Sequence, residues 1–419
     1  MEQWKERIVY RLRRMWLYAA TLVKWIAVGV LIGAVGGVVG TLFHMGVDQA
    51  TELRWEHPWI LYLLPVGGLV ITAIYRVTRT EGKGTNDIIR SVHFGSHIPI
   101  LLVPVIFVST VITHLCGGSA GREGAALQIG GGIGYKTGTL LHLHEKDLPL
   151  ATMCGMSGVF AALFGTPLTA MLFALEVISV GVLYYAGLIP CLAAALTGYR
   201  VSVLLGVPPT RFSIPAVEME LGVTVQVAVL AVLCAVVSIL LCRTLHWTEH
   251  AMEHVLGNVW LRSAVGGAAL IGLTLLLGTD YNGAGMDVIT AALGGQAKGF
   301  AWLWKILFTA ITIGCGFKGG EVVPSFFIGA TFGCVAGSLL GMPVPLAAAV
   351  GLICVFCGAV NCPLASMMLS VELFGADNLI YFAVACAIGY LISGYSGLYK
   401  SQRIVYSKMR AEFINVNAK

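Results

Sequence analysis

The residues able to do chemistry in this chain stand in unusual company. Arg122 and Glu123 lie in G-G-S-A-G-R-E-G-A-A-L-Q-I-G-G-G-I-G (Gly117–Gly134), and Glu321 in G-F-K-G-G-E-V-V-P-S-F-F-I-G-A (Gly316–Ala330). Ionisable side chains among glycines and apolar residues are costly, and they mark ion paths or proton relays. Glycines followed by an apolar run read as a loop feeding a helix N-terminus, where free N–H groups and the helix dipole favour an anion. A carboxylate is itself an anion. Glu123 could fill such a site and leave it when protonated, coupling anion movement to proton movement; the plainer reading is a structural Arg122–Glu123 pair. Glu321 precedes a helix opening near Pro324, a residue suited to a first turn. Proton carriage and a structural role for Glu321, capping or pairing with Lys318, are both open. In G-K-G-T-N-D-I-I (Gly82–Ile89) the Thr85 hydroxyl and the Asn86 amide can donate hydrogen bonds, to an anion or as an ordinary helix cap.

Two further patterns suggest metal or redox chemistry. His246, His250 and His254 share one helix face, and His246 to His250 spells H-x-x-E-H, an inverted zinc-protease pattern. An interfacial helix with His and Glu facing water explains it more simply. Cys354 and Cys357 form C-x-x-C, but in an apolar setting with no basic neighbour to activate a thiol. The 11 cysteines are odd in number and dispersed, which is no disulfide framework.

The elements that position these residues follow from composition. Of 419 residues, 57% are apolar and 11% charged, against about 25% charged in a soluble domain. That excludes a water-soluble enzyme. Long unbroken apolar runs, rather than alternation, exclude a transmembrane β-barrel and indicate a helical polytopic membrane protein. The apolar stretch from about 15 to 43 is too long for a cleaved signal peptide and reads as a first membrane helix. Spans are expected at 16–46, 58–76, 99–117, 125–143, 149–165, 167–187 and 188–206, then at 222–242, 262–278, 300–315, 322–341, 343–360, 363–375 and 379–394. Several are shorter than the roughly 20 residues a crossing needs, which predicts helices that stop part-way beside protein or a polar cavity. Basic residues cluster at both ends: Lys5, Arg7, Arg11, Arg13 and Arg14, then Lys400, Arg403, Lys408, Arg410 and Lys419. The positive-inside bias places both ends in the cytoplasm, and no basic domain supports a nucleic-acid partner.

An internal repeat organises the chain. G-T-P-L-T-A-M-L-F-A-L-E-V (Gly165–Val177) is matched by N-C-P-L-A-S-M-M-L-S-V-E-L (Asn361–Leu373), an offset of 196, while Glu123 and Glu321 are 198 apart. Glu176 and Glu372 end the two segments, which predicts one shared structural task such as binding free backbone N–H groups. The organisation expected is a basic segment 1–14, a first membrane repeat 15–205, a linker 206–221, a second repeat 222–399 and a basic tail 400–419. Two weakly similar, Gly- and Pro-interrupted halves point to a transporter with its site between the repeats.

At these residues the chain resembles the CLC family of chloride channels and anion/proton exchangers. G-R-E-G at Gly121–Gly124 is similar to the family's gating-glutamate motif, G-G-E-V-V-P at Gly319–Pro324 sits where the family has its second anion-binding loop, and G-L-Y at Gly397–Tyr399 matches its central tyrosine. The resemblance covers nearly the whole chain. It implies an all-α polytopic membrane protein with a CLC-type inverted repeat, its broken and re-entrant helices meeting at mid-membrane. It also implies a homodimer with a pathway in each subunit.

Within the family the chain resembles the bacterial fluoride/proton antiporter branch. Glu321 stands where chloride relatives have an apolar residue. T-H-L-C-G-G-S-A-G-R-E-G (Thr113–Gly124) is similar to that branch, and G-T-N-D replaces the chloride exchangers' G-S-G-I-P loop. Val177 replaces the second glutamate that chloride exchangers use on the inner proton route. Two positions depart from the branch: Thr85, where Met is frequent, and Val323, where Thr is common. The resemblance implies export of cytoplasmic F⁻ in exchange for inward H⁺, in a bacterial inner membrane, with no cofactor, metal or enzymatic activity. A chloride channel or chloride/proton exchanger of the same fold is the alternative, and a membrane zinc hydrolase the third reading. It further implies an anion held near Thr85, Asn86, Gly124 and the N–H groups of Val322 and Val323, with the Tyr399 hydroxyl on the inner side. Glu123 would gate. Glu321 would carry the inner proton, since Val177 cannot. Phe326 and Phe327 could line the path with their positive ring edges, simple packing being the better reading for at least one. A chain ending about 20 residues after Tyr399 is expected to lack a carboxy-terminal regulatory domain.

Overall fold

Only helices bury long apolar blocks in hydrocarbon without stranding backbone polar groups, and the computed structural model of the chain has sixteen among its described residues. The structure describes residues 2–419, apart from the side chains of Glu2, Lys5, Ile8 and Val9. Of the basic segment 1–14, Met1 and the Lys5 side chain thus lie outside the described residues. The first half contains α1 (Glu2–Glu56), α2 (Leu64–Val77), α3 (Thr85–Phe94), α4 (Leu102–Cys116), α5 (Glu123–Leu140), α6 (Leu148–Phe164), α7 (Pro167–Glu176) and α8 (Leu188–Leu204). The second contains α9 (Leu221–Val255), α10 (Val259–Leu277), α11 (Met286–Leu293), α12 (Ala301–Gly314), α13 (Val322–Leu339), α14 (Val344–Val360), α15 (Pro363–Phe374) and α16 (Leu379–Ile392). The chain is a multi-pass membrane protein: among the described residues seven helical stretches are long and apolar enough to cross a bilayer. α3, α7, α11 and α15 have 8 to 12 residues. At 1.5 Å per residue they cannot span about 30 Å of hydrocarbon, so they are the broken elements that short apolar runs foretell.

The helices differ from the expected spans at several points; α1 runs from Glu2 to Glu56 against an expected 16–46. The run 167–187 stops being helical at Glu176, because that side chain is engaged by another helix end, as described below. The span 222–242 continues to Val255, since R-T-L-H-W-T-E-H contains no Gly or Pro to end it. α11 has no counterpart among the expected spans; its eight residues are too few for a visible apolar period.

Glycine sets the closest helix approaches. α5 packs on α6 and α13 on α14 in equivalent fashion: a Cβ on Gly155 would fall 1.9 Å from the Gly130 carbonyl oxygen, and one on Gly351 2.2 Å from that of Gly329. The repeat is also visible where the halves meet. Glu372, at the end of α15, accepts hydrogen bonds from Leu168 N (3.0 Å) and Thr169 N (2.8 Å) in the first turn of α7. Glu176, at the end of α7, accepts them from Leu364 N (3.2 Å) and Ala365 N (2.9 Å) in the first turn of α15. Each carboxylate satisfies donors that a helix start leaves free, the shared task expected of the pair. Such reciprocity requires the two helices to lie antiparallel about a local two-fold axis, the mark of an inverted repeat.

One small sheet departs from the all-helical pattern. β2 (Arg403–Tyr406) pairs in parallel with β1 (Ser179–Val180) and antiparallel with β3 (Phe413–Asn417). The carboxy-terminal residues, read as a basic tail, are therefore a folded hairpin. Lys408 anchors it: its Nζ donates to Asn361 Oδ1 (2.5 Å), Tyr390 O (2.8 Å) and Ser393 Oγ (3.0 Å).

Candidate ion-translocation site

Three helix starts converge on a seam between the halves. The loop before α5 and the loop before α13 form an antiparallel bridge, with Gly121 N to Gly320 O and Gly320 N to Gly121 O both at 2.7 Å. Only glycine permits this approach. A Cβ on Gly320 would lie 2.4 Å from Gly124 N, and one on Gly124 2.9 Å from Gly320 Cα. The bridge also sets the register of the repeat. Gly121 answers to Gly320, so Glu321 is the positional counterpart of Arg122, and the counterpart of Glu123 is Val322. The 198-residue offset read from the two glutamates is one short. α13 also opens at Val322, two residues before the expected Pro324.

Glu123 is the first residue of α5 and its carboxylate is folded back onto the helix start. Arg122 N donates to Glu123 Oε2 at 2.9 Å, and the N–H groups of Glu123 itself and of Val323 also face the carboxylate. It is 1% exposed, and Oε1 has no hydrogen-bond partner. A Cβ on Gly121 would stand 2.4 Å from Oε2, so the glycine makes the folded-back position available. The Arg122–Glu123 pair is the looser of two that Arg122 makes. Arg122 Nη1 bonds Asp48 Oδ1 at 2.7 Å, while its Nε stays 3.9 Å from Glu123 Oε1. Glu123 thus occupies a cradle of backbone donors from both halves. It lines a cavity of about 330 Å³, together with Asp48, Arg54, His114, Arg122 and Val323.

The other expected residues fall around this point. Thr85 opens α3, its hydroxyl 3.4 Å from Gly124 O and accepting from Gln128 Nε2 at 3.0 Å. Neither Thr85 nor Asn86 caps α3: that task falls to Asp87, whose Oδ2 accepts from Gly84 N. Asn86 turns its Oδ1 to Ser401 N (2.9 Å) and so ties α3 to the turn after Tyr399. Tyr399 is buried with a free hydroxyl, near enough to Glu123 and Glu321 for both charges to act on it. Glu321 Oε2 lies 3.1 Å from where a Gly124 Cβ would be and has no partner. Val322 and Val323 are buried and supply first-turn N–H groups of α13. Phe326 stacks at 5.9 Å on Phe164, a cavity residue, and at 5.1 Å edge-on against Phe356. Phe327 lies under Lys305 Nζ (4.9 Å) and beside Tyr281.

Sequence reading missed several groups here. Lys305 is fully buried in α12, donating to Tyr281 O (3.0 Å) and Gly283 O (2.7 Å). Arg54, also buried, donates to His114 O at 2.7 Å. The lone Lys inside A-W-L-W-K-I-L-F was the available signal, as a cation in an apolar span. Asp48 carried none, being one of several polar residues near the end of α1. The histidine stripe does not assemble a ligand set: His246 Nε2 is 2.8 Å from Gly397 O, and His250 stacks on His254. Among the described residues no three His, Cys, Asp or Glu side chains converge as metal ligands would.

Comparison with known proteins agrees with this geometry. The voltage gated chloride channel family matches residues 66–394. A chloride/fluoride channel protein of Pseudomonas syringae pv. tomato is 34% identical over 397 residues, covering 92% of this chain and 88% of its own. The crystal structure of a CLC-type fluoride/proton antiporter superposes with a TM-score of 0.88 at 34% identity, over 91% of this chain and 98% of that one. A slow cyanobacterial Cl⁻/H⁺ antiporter shares the fold at a TM-score of 0.75 and 18% identity, over 88% of this chain and 94% of its own. With its inverted repeat, its broken helices and its two glycine loops bridged at Gly121 and Gly320 beside Glu123, the chain belongs to the voltage gated chloride channel (CLC) family.

Proposed function

We propose that the protein exports fluoride in exchange for protons, with Glu123 as the exchanging group. One observation carries this reading: the Glu123 carboxylate rests among the N–H groups of Arg122, Glu123 and Val323, donors suited equally to a bare halide. Deprotonated, Glu123 holds the cradle. Protonated, it loses the charge that the donors and dipoles favour, and a dehydrated F⁻ takes its place near Thr85, Gly124 and the first turn of α13. Preorganised donors act strongly in a water-poor site. On the far side of the bridge, Glu321 takes the proton onward, and the Tyr399 hydroxyl faces the departing anion. Val177 supports the assignment to Glu321, since the position that chloride exchangers use for an inner glutamate carries no proton here. HF enters cells as a neutral acid and ionises inside, so proton-driven export of F⁻ answers a real chemical load.

The finer reading places the protein in a bacterial inner membrane with both termini cytoplasmic, from their basic residues. It acts as a transporter and not an enzyme, and as a homodimer with one pathway per subunit. Chloride transport by the same site is the second reading, favoured by the Thr85 hydroxyl beside Gly124 O. Proteoliposomes loaded with F⁻ or Cl⁻, with external pH recorded, separate the two. Wild-type protein takes up protons on a fluoride gradient and Glu123→Gln does not. Fluoride-driven proton uptake that survives the substitution would refute the reading.

A further inference from the structure

Glu321 is half-buried, with its Oε2 enclosed and unpartnered, and its proton must reach bulk water by some route. The charged groups that act on it are Glu249, Lys318 and Glu123. Lys318 is half-buried, its Nζ 4.8 Å from the Tyr75 ring centre and its N–H donating to Thr113 Oγ1. Glu249 is open to water, with its side chain 47% exposed. It sits on α9 inside the H-x-x-E-H pattern that forms no metal site. The backbone N of Glu249 packs where α12 ends, 3.2 Å from the position a Gly314 Cβ would take, just before the loop carrying Lys318 and Glu321. Its carboxylate pairs with Lys400 Nζ at 2.6 Å, the residue next to Tyr399. One helical turn earlier, His246 meets the Gly397 carbonyl on the other side of that tyrosine.

We propose that Glu249 is the water-side proton station of the exchange cycle, receiving from Glu321 and releasing to the aqueous phase on the Lys400 side. The proposal rests on the proton-coupled reading above. In the step, the O–H bond of the Glu321 carboxyl breaks and a proton passes through water to a Glu249 carboxylate oxygen. That oxygen then gives it to bulk water, with no change of oxidation state. The groups facing Glu249 and Lys318 from the surrounding elements are His246 on α9, Lys400 beside Tyr399, Arg262 on α10 and Glu321 itself.

The test is fluoride-driven proton uptake by proteoliposomes across a pH series, for wild type, Glu249→Gln, Glu249→Asp and Lys400→Gln, with calorimetric fluoride binding in detergent as the check on the anion site. If wild type moves no protons, the parent reading fails. With wild type coupled, Glu249→Gln is expected to slow proton uptake on the order of tenfold or more while fluoride binding persists. Glu249→Asp, which keeps a titrating group, is expected to retain turnover with a displaced pH profile. Wild-type rate and pH profile in Glu249→Gln overturn the proposal. So does an equal loss in Lys400→Gln, which would make the pair a strap on the Tyr399 segment. Should Glu249→Gln not fold, Glu249→Asp decides, and a pH profile identical to wild type overturns it.

Discussion

The reciprocal caps on α7 and α15 permit a quantitative test of what holds the two halves together. Glu176 and Glu372 each take two first-turn N–H groups of the opposite helix, yet they sit in different surroundings. Glu176 is 7% exposed, whereas Glu372 lines an open cavity with Gly165, Pro167 and Arg211. A hydrogen bond to a charged acceptor contributes about 1.5–3 kcal/mol, and a buried donor left unpaired costs about 1–3 kcal/mol. Glu176→Ala orphans two donors, that of Ala365 buried and that of Leu364 partly so, and should cost about 3–6 kcal/mol. Glu372→Ala exposes its two donors to water and should cost about 1–2 kcal/mol. Glu176→Gln keeps one acceptor oxygen but turns an NH₂ toward the second donor, an intermediate loss of about 2–3 kcal/mol. Unfolding in mixed micelles, followed by circular dichroism against denaturing detergent, orders the three variants. The two caps serve different helix ends, so the double alanine variant should lose the sum of the single losses. A Glu372→Ala penalty equal to or above that of Glu176→Ala refutes the reasoning, as does a Glu176→Ala protein as stable as wild type.

Two other outcomes follow from packing. Gly320→Ala places a methyl group 2.4 Å from Gly124 N, in backbone that cannot move without breaking the Gly121–Gly320 bridge; fluoride flux in proteoliposomes is expected to be lost even where the protein still elutes as a folded species. Lys408→Met removes three donor contacts, to Asn361, Tyr390 and Ser393, while Ser393 Oγ still donates to Tyr390 O. Its carboxy-terminal hairpin should be cut by trypsin at Arg403 and Arg410 well before the helical body, under conditions in which the wild-type hairpin resists.

The membrane helices and the two glycine loops are legible in the sequence because hydrocarbon punishes exceptions. A charged residue in an apolar span, or a proline before one, stands out with no other information, and Glu123, Glu321, Pro167 and Pro363 are all of this kind. Lys305 satisfies the same criterion, and its role is plain only once the carbonyls of Tyr281 and Gly283 are seen beside it. What the sequence hides is partnership across long separations. Asn86 looks like a helix cap and instead holds Ser401, 315 residues away. The H-x-x-E-H pattern looks like a metal motif, and two of its side chains grip the residues either side of Tyr399. The hairpin strands are too short, and the turn joining them too rich in charge, to be told from a solvated tail until β1 and Lys408 are in place.

The one-residue shift in the register of the repeat bears directly on how the site works. A strict two-fold would give both loops the same residue at the first helical position, and the seam would hold either two carboxylates or none. Two buried carboxylates at one seam would repel and hold a proton between them; none would leave a passive ring of donors. Here α5 opens with Glu123 and α13 with Val322, so the cradle holds one removable anion. The second glutamate is displaced by one position, onto the cap residue Glu321, whose counterpart Arg122 turns away to Asp48. The pseudo-symmetry therefore supplies matched dipoles from both halves, and its violation supplies direction. Glu123 lines the cavity with Asp48 and Arg122, while Glu321 feels Lys318 and Glu249 on the side of Lys400. A variant restoring the symmetry, with Val322 replaced by Glu and Glu321 by Arg, would place two carboxylates at the bridge; by this logic it should bind fluoride poorly and lose exchange, although every residue type it contains is already present at the seam.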